Sequence, residues 1–208
     1  MKIERFVMLI YVPILLLGVI GLFMIEKGDM VLYFNERHTP FFDVFFRYYT
    51  FVGHGFLYIV PFVISLFIKF RHSAILLATF IIHGILSPVF KRVPLWYSDR
   101  PKLYFEDSEV VLNFVEGVIV HTHNSLPSGH TTTAFSFFVV LSLMLKNKTF
   151  TIVGALLAVV GGLSRVYLIQ HFYIDVVFGA ALGTVSAFLG WYAFKNSSHP
   201  FLERRLKF

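Results

Sequence analysis

Six long apolar stretches restrict what this chain can fold into. The first, Phe6 to Ile25, has twenty residues and no charge, the length that a helix needs to cross a bilayer core. Lys2 and Arg5 precede it as in a signal peptide, but the run is too long for one and no small-residue cleavage site follows. We expect an uncleaved first span. Five further spans are predicted, at about 55–70, 73–90, 129–145, 149–165 and 176–194.

The composition excludes a soluble domain. Of the 208 residues, 57% are hydrophobic and 14% charged, against roughly 25% charged in soluble proteins. Cysteine is absent, which excludes disulfide frameworks, cysteine-ligated zinc, iron–sulfur clusters and thiol nucleophiles. Residues 28–54, with apolar side chains around Asp43 and Arg47, are predicted to form an interfacial amphipathic segment. The predicted fold class is all-α: a six-transmembrane-helix bundle with an extra interfacial helix, in one domain over 1–208.

The distribution of charge predicts how the spans are oriented. With both termini inside, the inner segments hold ten basic and two acidic residues, and the outer segments hold eight and ten. Basic residues favour the cytoplasmic side, so both termini are predicted to be cytoplasmic, with loops 91–128 and 164–175 outside. The net charge of +6 then reflects the cytoplasmic ends, and no nucleic-acid partner is expected. Short loops without cysteine are typical of a bacterial plasma membrane protein.

Cationic side chains in the two outer loops are the first sign of a site. Ionisable groups at the end of an apolar bundle are energetically unfavourable and by default mark function. Arg100 and Arg165, with Lys91 or Arg92 as a third cation, suit a tetrahedral oxyanion, because a guanidinium can hold two of its oxygens. These residues therefore predict a phosphate-binding site at the outer face.

Two histidines add the groups that phosphoryl transfer needs. His171 and Asp175 are four residues apart and share a face of a helix. An aspartate that accepts the imidazole N–H leaves the other nitrogen free to attack. His130 can act as general acid to the leaving oxygen and then as base to water. Ser128 and Gly129 stand where a loop becomes a helix, and free N–H groups there favour a phosphate.

These residues resemble the three-part signature of the type-2 phosphatidic acid phosphatase superfamily, also called lipid phosphate phosphatases. The family pattern is Lys-x6-Arg-Pro, then Pro-Ser-Gly-His, then Ser-Arg-x5-His-x3-Asp. The second and third parts match in full, at 127–130 and 164–175. In the first part Val93 stands where the pattern has lysine. Lys91 and Arg92 are the available cations before Arg100, and we favour Lys91.

The resemblance implies a six-helix membrane phosphatase with its signature region at 91–175. His171 would form a phosphohistidine, Asp175 would orient it, and His130 would protonate the leaving group. No metal or other cofactor is expected. The substrate would be a membrane lipid phosphomonoester or diphosphate: undecaprenyl diphosphate, phosphatidylglycerol phosphate, phosphatidate or lipid A. The phosphate-binding residues would be Lys91, Arg100, Arg165, Ser128 and Gly129.

Three alternatives remain open from the sequence. Vanadium-dependent haloperoxidases use the same histidine–arginine constellation. That alternative suits a soluble protein, whereas this chain has six apolar stretches of membrane-spanning character. A non-catalytic lipid transporter could keep an anion pocket, although anion binding alone needs neither histidine nor Asp175. A phosphotransferase would use the same site with an acceptor other than water.

Several other residues are expected to be structural. Gly179 and Gly183, at a small-xxx-small spacing, predict close helix packing. His54 and His83 are interpreted as structural histidines. His121 and His123 form a His-x-His pair without further ligands at metal-binding spacing, so we assign them to a solvated, substrate-facing loop.

Overall fold

The described part of the chain is helical throughout its regular secondary structure. The structure, a computed structural model, describes residues 1–92 and 98–207. Residues 93–97, which include Val93 and part of the predicted loop 91–128, lie outside the described residues. The α-helices are α1 (Ile3–Leu22), α2 (Asp29–Asn35), α3 (Pro40–Tyr49), α4 (Ile59–Ile68), α5 (Phe70–Lys91), α6 (Pro101–Tyr104), α7 (Gly129–Leu145), α8 (Lys148–Tyr167) and α9 (Tyr173–Phe194).

The number of candidate membrane spans is four or five within the described residues. Helices α1, α5, α8 and α9 are long and apolar enough to cross a bilayer. A fifth candidate is a bent pair, Pro40–Gly53 and Gly55–Ile68, whose arms meet at 56°. The predicted span at 129–145 corresponds to α7, which is apolar but shorter than the other candidates. The all-helical membrane fold is confirmed, whereas the structure supports four or five of the six predicted spans.

The segment predicted as interfacial, residues 28–54, contains two helices and a 3₁₀ turn. Helix α3 begins where the Thr39 hydroxyl accepts a hydrogen bond from the Phe42 N–H at 3.3 Å, with Pro40 as the first helical residue. The chain continues through the turn Thr50–Gly53 and, after His54, through Gly55–Tyr58 into α4. The predicted boundary between interfacial segment and second span therefore falls at the break of the bent pair.

Helix α7 lies at the centre of the bundle and packs against α8 and α9. A Cβ at Gly179 would lie 2.6 Å from the carbonyl oxygen of Ser128, and one at Gly183 would overlap the carbonyl oxygen of Thr132. The predicted close packing at these two glycines is confirmed. His83 is buried, with Nδ1 3.0 Å from the carbonyl oxygen of Thr79 on its own helix, as expected of a structural histidine.

The antiparallel order of the long helices brings the three motifs together. Helices α5 and α8 end where α7 and α9 begin, so these four termini share one end of the bundle. Hydrogen bonds join the connecting segments there: the Arg100 N–H donates to the Thr122 carbonyl at 2.8 Å, and the Ser125 N–H to the Ser98 carbonyl at 3.1 Å. The candidate site forms at this end.

Candidate active site

His171 and Asp175 form a buried pair at the start of α9. His171 Nδ1 lies 3.3 Å from Asp175 Oδ2, and each side chain is 2% exposed. Because this contact occupies Nδ1, Nε2 is the nitrogen left for a substrate. The turn before His171 passes through Ile169 with a φ of 57°. It returns the Gln170 and His171 N–H groups to the Arg165 carbonyl, at 2.9 and 3.2 Å.

Three donors converge on Oδ2 of Asp175. They are Nδ1 of His171, the backbone N–H of Phe172 at 2.9 Å, and the hydroxyl of Ser125 in a short hydrogen bond. Phe172 is the N-cap residue of α9, and its N–H has no partner within the helix. The Asp175 carboxylate therefore caps α9 and also orients the His171 ring. Ser125, whose hydroxyl also lies 3.4 Å from His171 Nδ1, was missed by the sequence analysis because it stands outside the three motifs.

The surroundings of His171 favour its neutral form. Burial lowers the pKa of His171, the adjacent Asp175 opposes that shift, and the positive charges of Arg100 and Arg165 add to it. The imidazole is therefore unprotonated at neutral pH, which is the state that a nucleophile requires.

Arg100 spans from the start of α6 to the turn between α8 and α9. Its Nε donates to the His123 carbonyl at 2.9 Å, and its Nη1 to the backbone and side-chain oxygens of Gln170 at 3.1 and 3.2 Å. The amide of Gln170 is itself held by the Ile119 carbonyl at 2.9 Å. Burial lowers the pKa of Arg100 and Asp175 opposes the shift, but an arginine remains charged. Gln170, a variable position of the third motif, was missed by the sequence analysis.

Lys91 and Arg165 join Arg100 in what we call the cation cluster. Arg165 is 6% exposed. Its Nη1 donates to the Thr50 hydroxyl at 2.5 Å, while its Nε has no partner among the described residues. Lys91 is partly buried and interacts electrostatically with both arginines, whereas Arg92 is exposed. Of the two cations left open by the sequence, the structure brings Lys91 to the cluster.

The first turn of α7 lies beside the His171–Asp175 pair. The Ser128 hydroxyl accepts hydrogen bonds from the Thr131 N–H at 3.4 Å and the Thr131 hydroxyl at 2.9 Å. The Ser128 N–H donates to the Asp175 carbonyl at 3.0 Å, so the donor that Ser128 has left is its hydroxyl hydrogen. A Cβ at Gly129 would meet the Ser87 hydroxyl at 3.7 Å, an ordinary van der Waals contact.

His130, in the same turn, contacts a residue for which the sequence predicted a structural role. Its ring lies 4.7 Å from that of His54, at an interplanar angle of 87°. Gly53 permits this approach, because a Cβ there would lie 2.5 Å from the Cβ of His130. No sequence pattern links His54 to the three motifs, so its contact with His130 was not predicted.

The two histidines of the His-x-His pair have different surroundings: His121 lies near the cation cluster, and His123 lies near Asp99. Burial lowers the pKa of His121, and the charges of Arg100, Arg165 and Lys91 lower it further, so this side chain lies within range of the cation cluster. His123 Nδ1 instead lies 3.4 Å from Asp99. The described residues contain no group of three or more histidine, aspartate or glutamate side chains arranged to hold a metal ion.

Comparison with protein families gives a match to the PAP2 superfamily over residues 69–199, well over half of the chain. This chain belongs to the PAP2 superfamily. The resemblance inferred from the motifs is therefore confirmed, as are the assignments to enzymes and to membrane lipid phosphatases of this family. A comparison with curated protein sequences gave no match.

Two crystal structures share the fold of this chain. Aquifex aeolicus LpxE superimposes with a TM-score of 0.65 at 25% sequence identity, covering 80% of this chain and 94% of that protein. A transmembrane PAP2 type phosphatidylglycerolphosphate phosphatase from Bacillus subtilis superimposes with a TM-score of 0.60 at 22% identity, covering 91% and 98%. The chain is thus a multi-pass membrane protein with the helical framework of both.

Proposed function

We propose that this chain hydrolyses a membrane lipid phosphomonoester or diphosphate by a two-step phosphoryl transfer through His171, without a metal. The observation that carries the proposal is the buried His171–Asp175 pair beside the cation cluster. No salt bridge among the described residues includes a member of that cluster. A neutral nucleophile and preorganised positive charge are the two requirements for attack on a phosphate.

In the first step His171 takes the phosphoryl group from the lipid. Its Nδ1–H donates to Asp175, so the lone pair on Nε2 attacks phosphorus. The bond between phosphorus and the lipid oxygen breaks, and His130 donates a proton to that oxygen. The cation cluster, the Ser128 hydroxyl and the first-turn N–H groups of α7 stabilise charge on the remaining phosphate oxygens.

In the second step water releases the phosphate. The water oxygen attacks phosphorus, and His130, now neutral, accepts one of its protons. The P–N bond breaks, inorganic phosphate leaves, and both histidines return to their starting states. An alcohol in place of water would yield a new phosphate ester, which product analysis distinguishes from free phosphate.

We place the site on the outer side of a bacterial plasma membrane, with both termini in the cytoplasm. The support is the charge distribution, since the end of the bundle opposite to the site carries the excess of basic residues. The absence of cysteine allows a direct test with single-cysteine variants. A membrane-impermeant maleimide applied to intact cells should label Glu109→Cys and spare Lys207→Cys. The reverse pattern would overturn this orientation.

The activity is tested by phosphate release from purified protein in detergent with a chelator present. The four lipids are undecaprenyl diphosphate, phosphatidylglycerol phosphate, phosphatidate and lipid A. We expect release that survives chelation, disappears in His171→Ala, and persists in His199→Ala, which removes an exposed histidine near the other end of the bundle. The ranking of the lipids would identify the substrate. Activity that persists in His171→Ala would contradict the proposal.

A further inference from the structure

The break in the bent helix pair lies against the candidate active site. The two arms meet around His54, and the turn Thr50–Gly53 packs against α7 and α8. We call Thr50–His54 the break segment. It lies outside the three motifs and outside the family match at 69–199, yet two of its side chains contact residues with proposed roles in phosphoryl transfer.

Thr50 holds the guanidinium of Arg165. Its hydroxyl accepts a hydrogen bond from Arg165 Nη1 at 2.5 Å, and Thr50 is 8% exposed. A guanidinium has five N–H donors in a rigid fork, so fixing one of them sets the direction of the others. Since Arg165 Nε has no partner among the described residues, Arg165 is anchored at one point and retains donors for a phosphate.

His54 lies edge to face with His130, with ring centroids 4.7 Å apart. Phe51 and Phe56 flank the His54 ring at centroid distances of 5.0 and 5.5 Å, which limits its movement. A perpendicular ring neighbour favours one orientation of the His130 ring. A general acid acts only when its nitrogen lies within hydrogen-bonding distance of the leaving oxygen, so this orientation matters for proton transfer.

We propose that the break segment is a fourth part of the active site, in which Thr50 orients Arg165 toward the phosphate and His54 orients His130 toward the leaving oxygen. Both are positioning residues that act through their neighbours. The inference rests on the proposed function, because it takes the roles of Arg165 and His130 from there. It assigns a catalytic contribution to a helix break that lies before the region matched by the family.

The role of His54 is tested by changing the leaving group. A lipid alcohol needs a proton from His130, whereas nitrophenolate leaves p-nitrophenyl phosphate without one. We expect His54→Ala to lower kcat on the lipid by about 10- to 100-fold, since a positioned general acid contributes about 10²–10⁴-fold. The KM for the lipid and the first-turnover burst of nitrophenolate should stay within about threefold of the wild-type values.

Two further variants make this test specific. His54→Phe keeps a ring against His130 and should recover most of the lipid activity. His72→Ala removes a partly buried histidine at the opposite end of α5 and should change neither activity. The role of His54 would be overturned by equal losses on both substrates in His54→Ala, by no loss on the lipid, or by a His54→Phe variant as defective as His54→Ala.

The role of Thr50 is tested by anion binding. Thr50→Val keeps the shape of the side chain but removes the hydroxyl that holds Arg165. We expect orthovanadate, a phosphate mimic, to bind about tenfold more weakly, the size typical of one hydrogen bond to a charged group. Thr50→Ser keeps the hydroxyl and should bind vanadate as the wild type does. Thr151→Val makes the same change at the opposite end of α8 and should also leave binding unchanged. Unaltered vanadate binding in Thr50→Val would overturn this role.

The wild type and the variants of the break segment separate this inference from the proposed function. If the wild type releases no phosphate from any lipid or from p-nitrophenyl phosphate, the proposed function fails. The rise in melting temperature on adding orthovanadate would still report whether Thr50→Val weakens the anion site. If the wild type is active and the variants of the break segment match it, this inference alone fails.

Discussion

The two ends of the helix bundle hold their cations in different ways. At the end that carries both termini, Lys195 lies 3.1 Å from Glu4 and Lys69 lies 2.8 Å from Glu203. At the other end, the two arginines of the cation cluster donate hydrogen bonds to carbonyl, amide and hydroxyl oxygens. A carboxylate partner neutralises a cation, whereas a neutral acceptor fixes its position and leaves its charge available.

The difference shows how burial can serve binding. A buried charge without an ionic partner lowers stability, and in the cation cluster both arginines are buried. An anion that enters the cluster supplies the missing partner and offsets part of that cost. At the end with the termini, Lys69, Arg71 and Lys195 are already paired with carboxylates, so we expect these pairs to contribute to folding and orientation in the membrane rather than to chemistry.

The largest effect is expected from removing one member of the cluster. Arg165→Ala should lower kcat/KM for phosphate release by about 10³-fold, since losing one preorganised donor costs about 10²–10³-fold and this donor is also charged. Arg165→Lys should recover only part, because an ammonium lacks the planar fork. The matched control is Arg71→Ala, which removes a cation paired with Glu203 at the end that carries the termini. A loss of less than about tenfold in Arg165→Ala would remove the distinction between the two ends.

A smaller effect is expected at the third cation, where the structure favours Lys91 over its exposed neighbour. Lys91→Ala should lower kcat/KM by about 10²-fold, as for one electrostatic donor to the transition state. Arg92→Ala should stay within about twofold of the wild type, as is usual for an exposed residue. The same phosphate-release assay measures both. A large loss in Arg92→Ala with little effect in Lys91→Ala would transfer the role to Arg92.

The protonation of His171 gives a prediction on pH. Because burial lowers its pKa against the opposing Asp175, the ring should stay neutral as the pH falls through the ordinary histidine value of about 6.5. Protonation would remove the nucleophile only at more acidic pH. The ring nitrogen resonances of ¹⁵N-histidine-labelled protein, assigned through their loss in His171→Gln, should therefore not titrate between pH 8 and 6. A midpoint near 6.5 would contradict the effect of burial.

The smallest effect is expected at the paired end. Glu4→Gln removes the charge that pairs with Lys195 but keeps an oxygen that can accept the hydrogen bond of its ammonium group. Phosphate release should be unchanged and the melting temperature only slightly lower. A clear loss of activity in folded Glu4→Gln protein would show that the two ends of the bundle are coupled.

The fold was predictable where helices are long and apolar and unpredictable where a helix is bent. The predicted spans at 6–25, 73–90, 149–165 and 176–194 overlap α1, α5, α8 and α9. The bent pair was missed because Asp43 and Arg47 make its first arm look interfacial, and because the Gly53–Gly55 break resembles a boundary between two elements. The turn at the bend packs against α7 and α8, and such tertiary contacts cannot be predicted from a local sequence pattern.

The candidate site also has residues that could be predicted from the sequence and residues that could not. Residues in the motifs were predictable because the chemistry requires those types at fixed spacing, and the structure brings His130, His171, Asp175 and the cation cluster to one end of the bundle. Ser125, Gln170 and Thr50 were missed, since a serine, a glutamine or a threonine has many roles and only tertiary contact reveals which neighbour it holds.

The role of His171 as nucleophile is tested most directly by trapping the phosphorylated enzyme. After mixing with ³²P-labelled p-nitrophenyl phosphate and rapid quenching, we expect an acid-labile, alkali-stable label on the peptide that contains His171. His130→Ala should accumulate more of it, because nitrophenolate leaves without a proton while water attack loses its base. His171→Ala should carry none. Label at another residue, or turnover with no labelled intermediate, would contradict the assignment of His171 as the nucleophile.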